Sequence, residues 1–294
     1  MSKEQKTDKK SISQYIRSTL CVTGNSLYSQ TRSVSFYAVI FFTLLFWYLF
    51  TWNIKGLAQA GGYGITPYLL PHFFANNIFE NYGMFLLILL TCDVSFMGEN
   101  SLYAIRRSGK MPWVTGKILY ILAANIIFQF IMIMSQLIVL LSYVGISGEW
   151  GSVLYTAAKN PESIAGYSGY GSVSDLVVSS MTPWEAVMKQ MLLCVLLGSV
   201  MGIITFLING LTKKTIGAVI MVGAVLASDF FGQIDMLFGT SYASKSPFRW
   251  LNLENYLNGR YEYSTNMTWL IIIFVVGAVL SCMAVKWNRI KLTE

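Results

Sequence analysis

Six stretches of this sequence, at about 33–54, 80–98, 118–145, 183–209, 215–233 and 268–285, are long and apolar enough to cross a bilayer, and no other feature constrains the fold as much. A helix needs about 20 predominantly apolar residues to span roughly 30 Å of hydrocarbon. Every backbone N–H and C=O in hydrocarbon must be paired, which leaves helices or closed barrels, and runs of this length are helical. The expected class is therefore all-α: a polytopic membrane protein with six transmembrane helices. Composition agrees, with 54% hydrophobic and 12% charged residues against the quarter or so that is charged in a soluble domain. The first run carries no charge, is rich in aromatics such as Phe41, Phe42, Trp47 and Trp52, and lacks a small-residue cleavage site, so it reads as a retained helix.

Residues 1–32 form a polar leader, and 33–294 a single transmembrane domain. Within the leader, Ile12, Tyr15, Ile16, Thr19, Leu20, Thr23 and Leu27 recur near a 3.6-residue period among Lys9, Lys10, Arg17 and Arg32. That pattern suits a basic amphipathic helix on a membrane surface, with a disordered basic tail as the alternative. Residues 55–79, with Gly61, Gly62, Gly64, Pro67 and Pro71, read as a loop. Residues 146–182 read as an extended polar loop carrying at most a short helix, and 234–267 as amphipathic and aromatic without crossing.

Fifteen of the 21 Lys and Arg residues fall in the leader, in 99–117, in the 213–214 turn and in the C-terminal tail. By the positive-inside rule those four segments are cytoplasmic, both termini included, and the three long loops face outward. The net charge of +7 thus reads as topology rather than as a nucleic-acid surface.

Sites of chemistry are few. Neither Gly109-Lys110-Met111 nor Gly116-Lys117-Ile118 is a phosphate cradle, so this chain is expected to hold no nucleotide and no metal, and not to be an enzyme. The lone histidine, His72, reads as an ordinary loop residue, and Cys21, Cys92, Cys194 and Cys282 have no CxxC spacing. Asn125, Gln129 and Gln136 share one face of the third span, either as a translocation surface or as interhelical hydrogen-bonding groups. Asp93 in the second span reads as a structural pair, with a coupling-ion site as the alternative. Glu185 and Lys189 are spaced to pair, and Asn266-Met-Thr268 matches a glycosylation acceptor. Gly198 and Gly202 form a GxxxG step that permits close helix contact or subunit pairing.

The connection 99–117 says most. Glu99, Ser101, Leu102, Tyr103, Ile105, Arg106 and Arg107 can form a short helix closed by Ser108-Gly109, before Pro112 restarts the chain. A solvated juxtamembrane turn is the simpler reading, although it would not need Leu102 and Ile105. A second span ending in Glu99, a short basic helix, and then Gly116-Lys117 entering the third span resembles the permease subunits of ABC type-2 exporters. Ser246-Pro247-Phe248-Arg249-Trp250-Leu251 is similar to that family's Pro-containing hairpin of outward, re-entrant short helices before the last span. The family's Gly-Thr and Pro-Val-Ser elements are absent, and 146–182 is longer than its usual connection.

The resemblance implies an ATP-driven exporter. Two separate ATPase subunits, binding ATP and Mg, would dock on the cytoplasmic coupling helix of this chain, paired with a second permease copy or relative in the cell membrane among its lipids. Amphipathic or antimicrobial peptides are the expected cargo. The alternative is a non-ATPase membrane protein, either a secondary carrier or a membrane scaffold, for which the sequence offers only Asp93 as an ionisable group near mid-membrane.

Overall fold

The computed structural model describes residues 3–92, 105–212, 216–238 and 246–286, with backbone alone for 3–11, 235 and 236. The described residues are mostly helical, with one isolated bridge between Ile65 and Val144. Five helices are long and apolar enough to cross a membrane: α2 (Val34–Gly61), α5 (Lys110–Leu140), α9 (Pro183–Thr212), α10 (Gly217–Phe238, apolar window to Ile234) and α12 (Tyr263–Lys286). A sixth apolar helix, α4 (Asn77–Thr91), is shorter, and its expected continuation to residue 98 lies outside the described residues.

α9 is the central element, packing against α4, α5, α10 and α12. In its apolar window 61% of the residues are buried, against 22% in α10 and α12, which leaves those two with broad apolar faces turned outward. α2 packs on α4 and α5. At one end of the bundle lies α1 (Lys3–Gln30), a continuous helix. It is fastened to α5 by small and hydroxylated side chains. Tyr15 and Thr19 meet Thr115 at 3.1 and 3.2 Å, Thr23 donates to the Gly116 carbonyl at 3.0 Å, and Val22 fills the space over Gly116. Ile12, Ile16 and Leu20 face outward, so the stripe expected in the leader is divided, with Tyr15, Thr19 and Thr23 turned to α5 and Leu27 to the core.

The connections at the other end differ from their expectation as loops. α2 continues through 55–61, because nothing stops it before Gly62, whose φ of +69° and N–H bond to the Ala58 carbonyl terminate the helix. A short helix, α3 (Leu70–Ala75), and the start of α4 occupy half of what remained of that loop. Residues 146–182 are likewise not an extended loop. They fold into α6 (Gly151–Lys159), α7 (Glu162–Ala165) and α8 (Asp175–Ser180), which bury Leu154, Ala157 and Val177. With α3 they form a crown over the bundle, because short amphipathic helices bury their apolar side chains while pairing their own backbone.

The crown is tied down by specific bonds. Asn53 of α2 donates to the Gly171 carbonyl at 2.7 Å, and the Asn76 amide donates to the Tyr170 carbonyl and Ser172 hydroxyl at 3.1 Å each. Thr66 donates to the Trp150 carbonyl at 2.6 Å, and the Trp150 indole to Met181 at 2.9 Å. Under it, Trp47, Phe50, Phe73 and Phe79 make an aromatic knot with ring separations of 4.7–5.8 Å, joining α2, α3 and α4. Beside the crown a 3-10 turn, Pro247–Leu251, precedes α11 (Glu254–Leu257).

Candidate functional site

Three groups of polar residues stand out against this apolar frame. The first is the expected coupling segment. Glu99, Ser101, Leu102 and Tyr103 lie outside the described residues, as does Asp93. Residues 105–108 form a helical turn whose Ile105 carbonyl accepts the Gly109 N–H at 2.9 Å, and Gly109, at φ +87°, turns the chain into α5. Ile105 is buried, while Arg106 and Arg107 are exposed at the end of the bundle where α1 docks on α5. A short segment with an anchored apolar side and a free basic side can present its cations to another surface.

The second group is the polar stripe of α5. Asn125, Gln129 and Gln136 share one face, as their spacing requires, and all three are buried. In this arrangement they point into a closed interior rather than along an open passage. The GxxxG step of α9 meets this same face from within the chain. A Cβ on Gly198 would lie 2.1 Å from Asn125 Oδ1 and 2.9 Å from Leu87, and one on Gly202 would lie 2.7 Å from Ile121. The step thus serves close helix contact between α9, α5 and α4. Gln129 and Gln190 flank the Cys194 thiol, and Gln190 Nε2 donates to Cys194 Sγ at 3.4 Å. Among the described residues, Gln129 and the Oδ1 and Oε1 atoms of Asn125 and Gln190 are buried without a hydrogen-bond partner.

The third group escaped the sequence reading. Arg249, from the 3-10 turn, places Nη2 2.6 Å from Asp229 Oδ1 of α10 and Nη1 3.5 Å from Glu80 Oε2 of α4. Nη1 also donates to Asn77 Oδ1 at 3.4 Å, and Asn81 donates to Asp229. Glu80 is fully buried, and neither carboxylate oxygen has a hydrogen-bond partner among the described residues. Two lone acids in apolar helices were the available signal. Glu80 stands at the expected start of the second span, and Asp229 lies within the expected fifth span. The apolar helices α4 and α10 thus carry two acids besides Asp93, the group that the sequence offers near mid-membrane.

The smaller expectations resolve individually. Glu185 and Lys189 pair at 2.7 Å. The Asn266 side chain is buried in α12 and donates to the Tyr256 hydroxyl at 3.3 Å, so its acceptor amide is engaged rather than displayed for glycosylation. His72 is no ordinary loop residue. It lies fully buried in α3, its ring tilted against that of Trp150 at 5.0 Å, with Nδ1 accepting the Ser174 N–H at 3.2 Å. Burial in this apolar setting drives its imidazole down to about 3. On the exposed side of the crown, Lys159 is raised by its hydrogen bond to Asp175 at 2.7 Å. No three His, Cys, Asp or Glu side chains among the described residues gather as a metal site requires.

A bundle with five helices suited to crossing a membrane is the architecture of a multi-pass membrane protein. Comparison of the chain with protein-family models, with curated proteins and with solved structures gives no match.

Proposed function

We propose that this chain is the permease subunit of an ATP-driven exporter of the ABC type-2 kind, with α4 completing six spans and both termini in the cytoplasm of a cell-membrane protein. The observation that carries the reading is the basic turn at 105–108, with Ile105 buried and Arg106 and Arg107 exposed, set at the end of the bundle that holds α1. The clustering of fifteen of 21 basic residues in alternate connections supports the orientation. In this reading two ATPase subunits, with their ATP and Mg, grip that turn. Their closure tilts α5 and opens a path between this chain and a second permease, by alternation between two packings. An amphipathic peptide is the cargo that the aromatic, apolar helix faces suit best.

Co-expression with a soluble ABC-type ATPase tests the reading. The two should purify together, and the triple change Leu102→Asp, Ile105→Asp, Arg106→Glu should abolish that association while the variant still folds in detergent. An association that survives the triple change sinks the proposed interface. A second reading, an ion-coupled carrier that uses no ATPase, is favoured by one observation, the buried acids Glu80 and Asp229 sharing Arg249. Transport driven by an imposed proton gradient in ATP-free vesicles would select it.

A further inference from the structure

The charges around Arg249 do not balance. Its guanidinium is taken by Asp229 at 2.6 Å and by Asn77 at 3.4 Å, which leaves Glu80 3.5 Å away with no hydrogen bond from it. With both acids ionised the group carries one net negative charge. Glu80, the member with no exposure at all, is then a bare carboxylate in an apolar helical core. Such a group is among the costliest that a fold can bury, and it is found only where it is paired, hydrated or neutralised.

Among the described residues, other charges do not fill the deficit. Lys55 of α2 stands over the Tyr48 and Tyr143 rings, and Lys117 of α5 over Tyr120. His72 of α3 turns Nδ1 to Ser174. The remaining titratable groups that act on or feel Glu80 among the described residues are the Cys194 thiol of α9 and the Tyr256 hydroxyl of α11, and neither is a cation. Tyr263, at the start of α12, lies within electrostatic reach of Cys194 and is no cation either.

We propose that Glu80 is a proton-binding site, holding one exchangeable proton that balances the Glu80–Arg249–Asp229 group. Uptake forms one O–H bond on the carboxylate, with the proton drawn from water. Release returns it to water through the Arg249–Asp229 side, where those side chains are 18% and 26% exposed. Once the proton leaves, Glu80 competes with Asp229 for the single guanidinium. Because Glu80 stands on α4, Asp229 on α10 and Arg249 on the turn between α10 and α11, occupancy of the site biases how these elements seat together. The proposal holds whether transport is ATP-driven or ion-coupled, since it concerns a protonation equilibrium of this chain alone.

Infrared difference spectra of the full chain in lipid nanodiscs, titrated with pH, test it. At neutral pH the wild type should show the C=O band of a protonated carboxylic acid in a dry setting, shifted in heavy water and bleached as the pH rises. Glu80→Gln should lose that band. Asp229→Asn, which frees Arg249 for Glu80, should bleach at a pH about one unit lower, a tenfold weaker hold on the proton. A wild type without such a band at neutral pH, a band that persists in Glu80→Gln, or a bleaching midpoint unmoved in Asp229→Asn would each overturn the proposal. The wild-type and Asp229→Asn titrations decide the matter even if Glu80→Gln does not fold.

Discussion

Gly198 and Asn125 show how a single atom sets the packing of three helices. The space a Cβ would need at Gly198 is occupied by Asn125 Oδ1 at 2.1 Å and by Leu87 at 2.9 Å, so glycine alone lets α9 approach α5 and α4 this closely. Gly198→Ala should therefore destabilise the bundle by about 1–3 kcal/mol, the usual cost of overpacking a core. In an Asn125→Ala background the penalty should shrink, since one of the two clashes is gone, with a coupling of about 1 kcal/mol. Heat or SDS unfolding in lipid micelles measures both, and strictly additive costs would show that the two positions do not share the space. The GxxxG spacing was visible in the sequence, but its partner was not, because a small residue announces close approach without saying to what.

At the scale of the element, the crown shows the limit of reading loops from composition. Residues 146–182 are rich in Gly, Ser and Tyr, which argued for an extended loop. Yet α6 and α8 fold there because Leu154, Ala157, Val177 and Val178 find a surface to bury against. Their hold depends partly on His72, whose neutral Nδ1 accepts the Ser174 N–H and whose imidazole burial holds down to about 3. An unfolded histidine titrates near 6.5, so below about pH 6.5 the opened crown binds a proton that the closed one refuses. The stabilisation is thus complete above about pH 6.5 and is lost progressively as the pH falls toward 3. Protonation would also replace the Nδ1 acceptor with a donor facing another donor. Hydrogen exchange across 151–180 should accelerate at pH 5 beyond the intrinsic chemical rate. His72→Asn, which keeps an acceptor in place but cannot charge, should flatten that dependence, and an equal response in both proteins would remove His72 from the account.

For the whole molecule, the distribution of basic residues predicts which end faces which compartment. In a background with its native cysteines replaced, Arg107→Cys should react with a membrane-impermeant maleimide only in inside-out vesicles. Tyr170→Cys, on the exposed crown, should react only in intact cells. The reverse pattern would invert the topology and take the coupling segment away from any cytoplasmic ATPase.

The sequence by itself determined that this chain is a helical membrane protein, and which stretches form its long helices, though the ends of α2 and α5 fall seven or eight residues from their expected places. Apolar runs of that length have only one way to pair their backbone in lipid, and this is a local property. The tertiary structure decided what the connections do and where the buried charges meet. Glu80, Asp229 and Arg249 come from α4, α10 and the 3-10 turn, and α3, α6 and α8 exist because the bundle end gives them something to cover. Both outcomes depend on surfaces that come together only when distant parts of the chain pack, and no local pattern of residues encodes them.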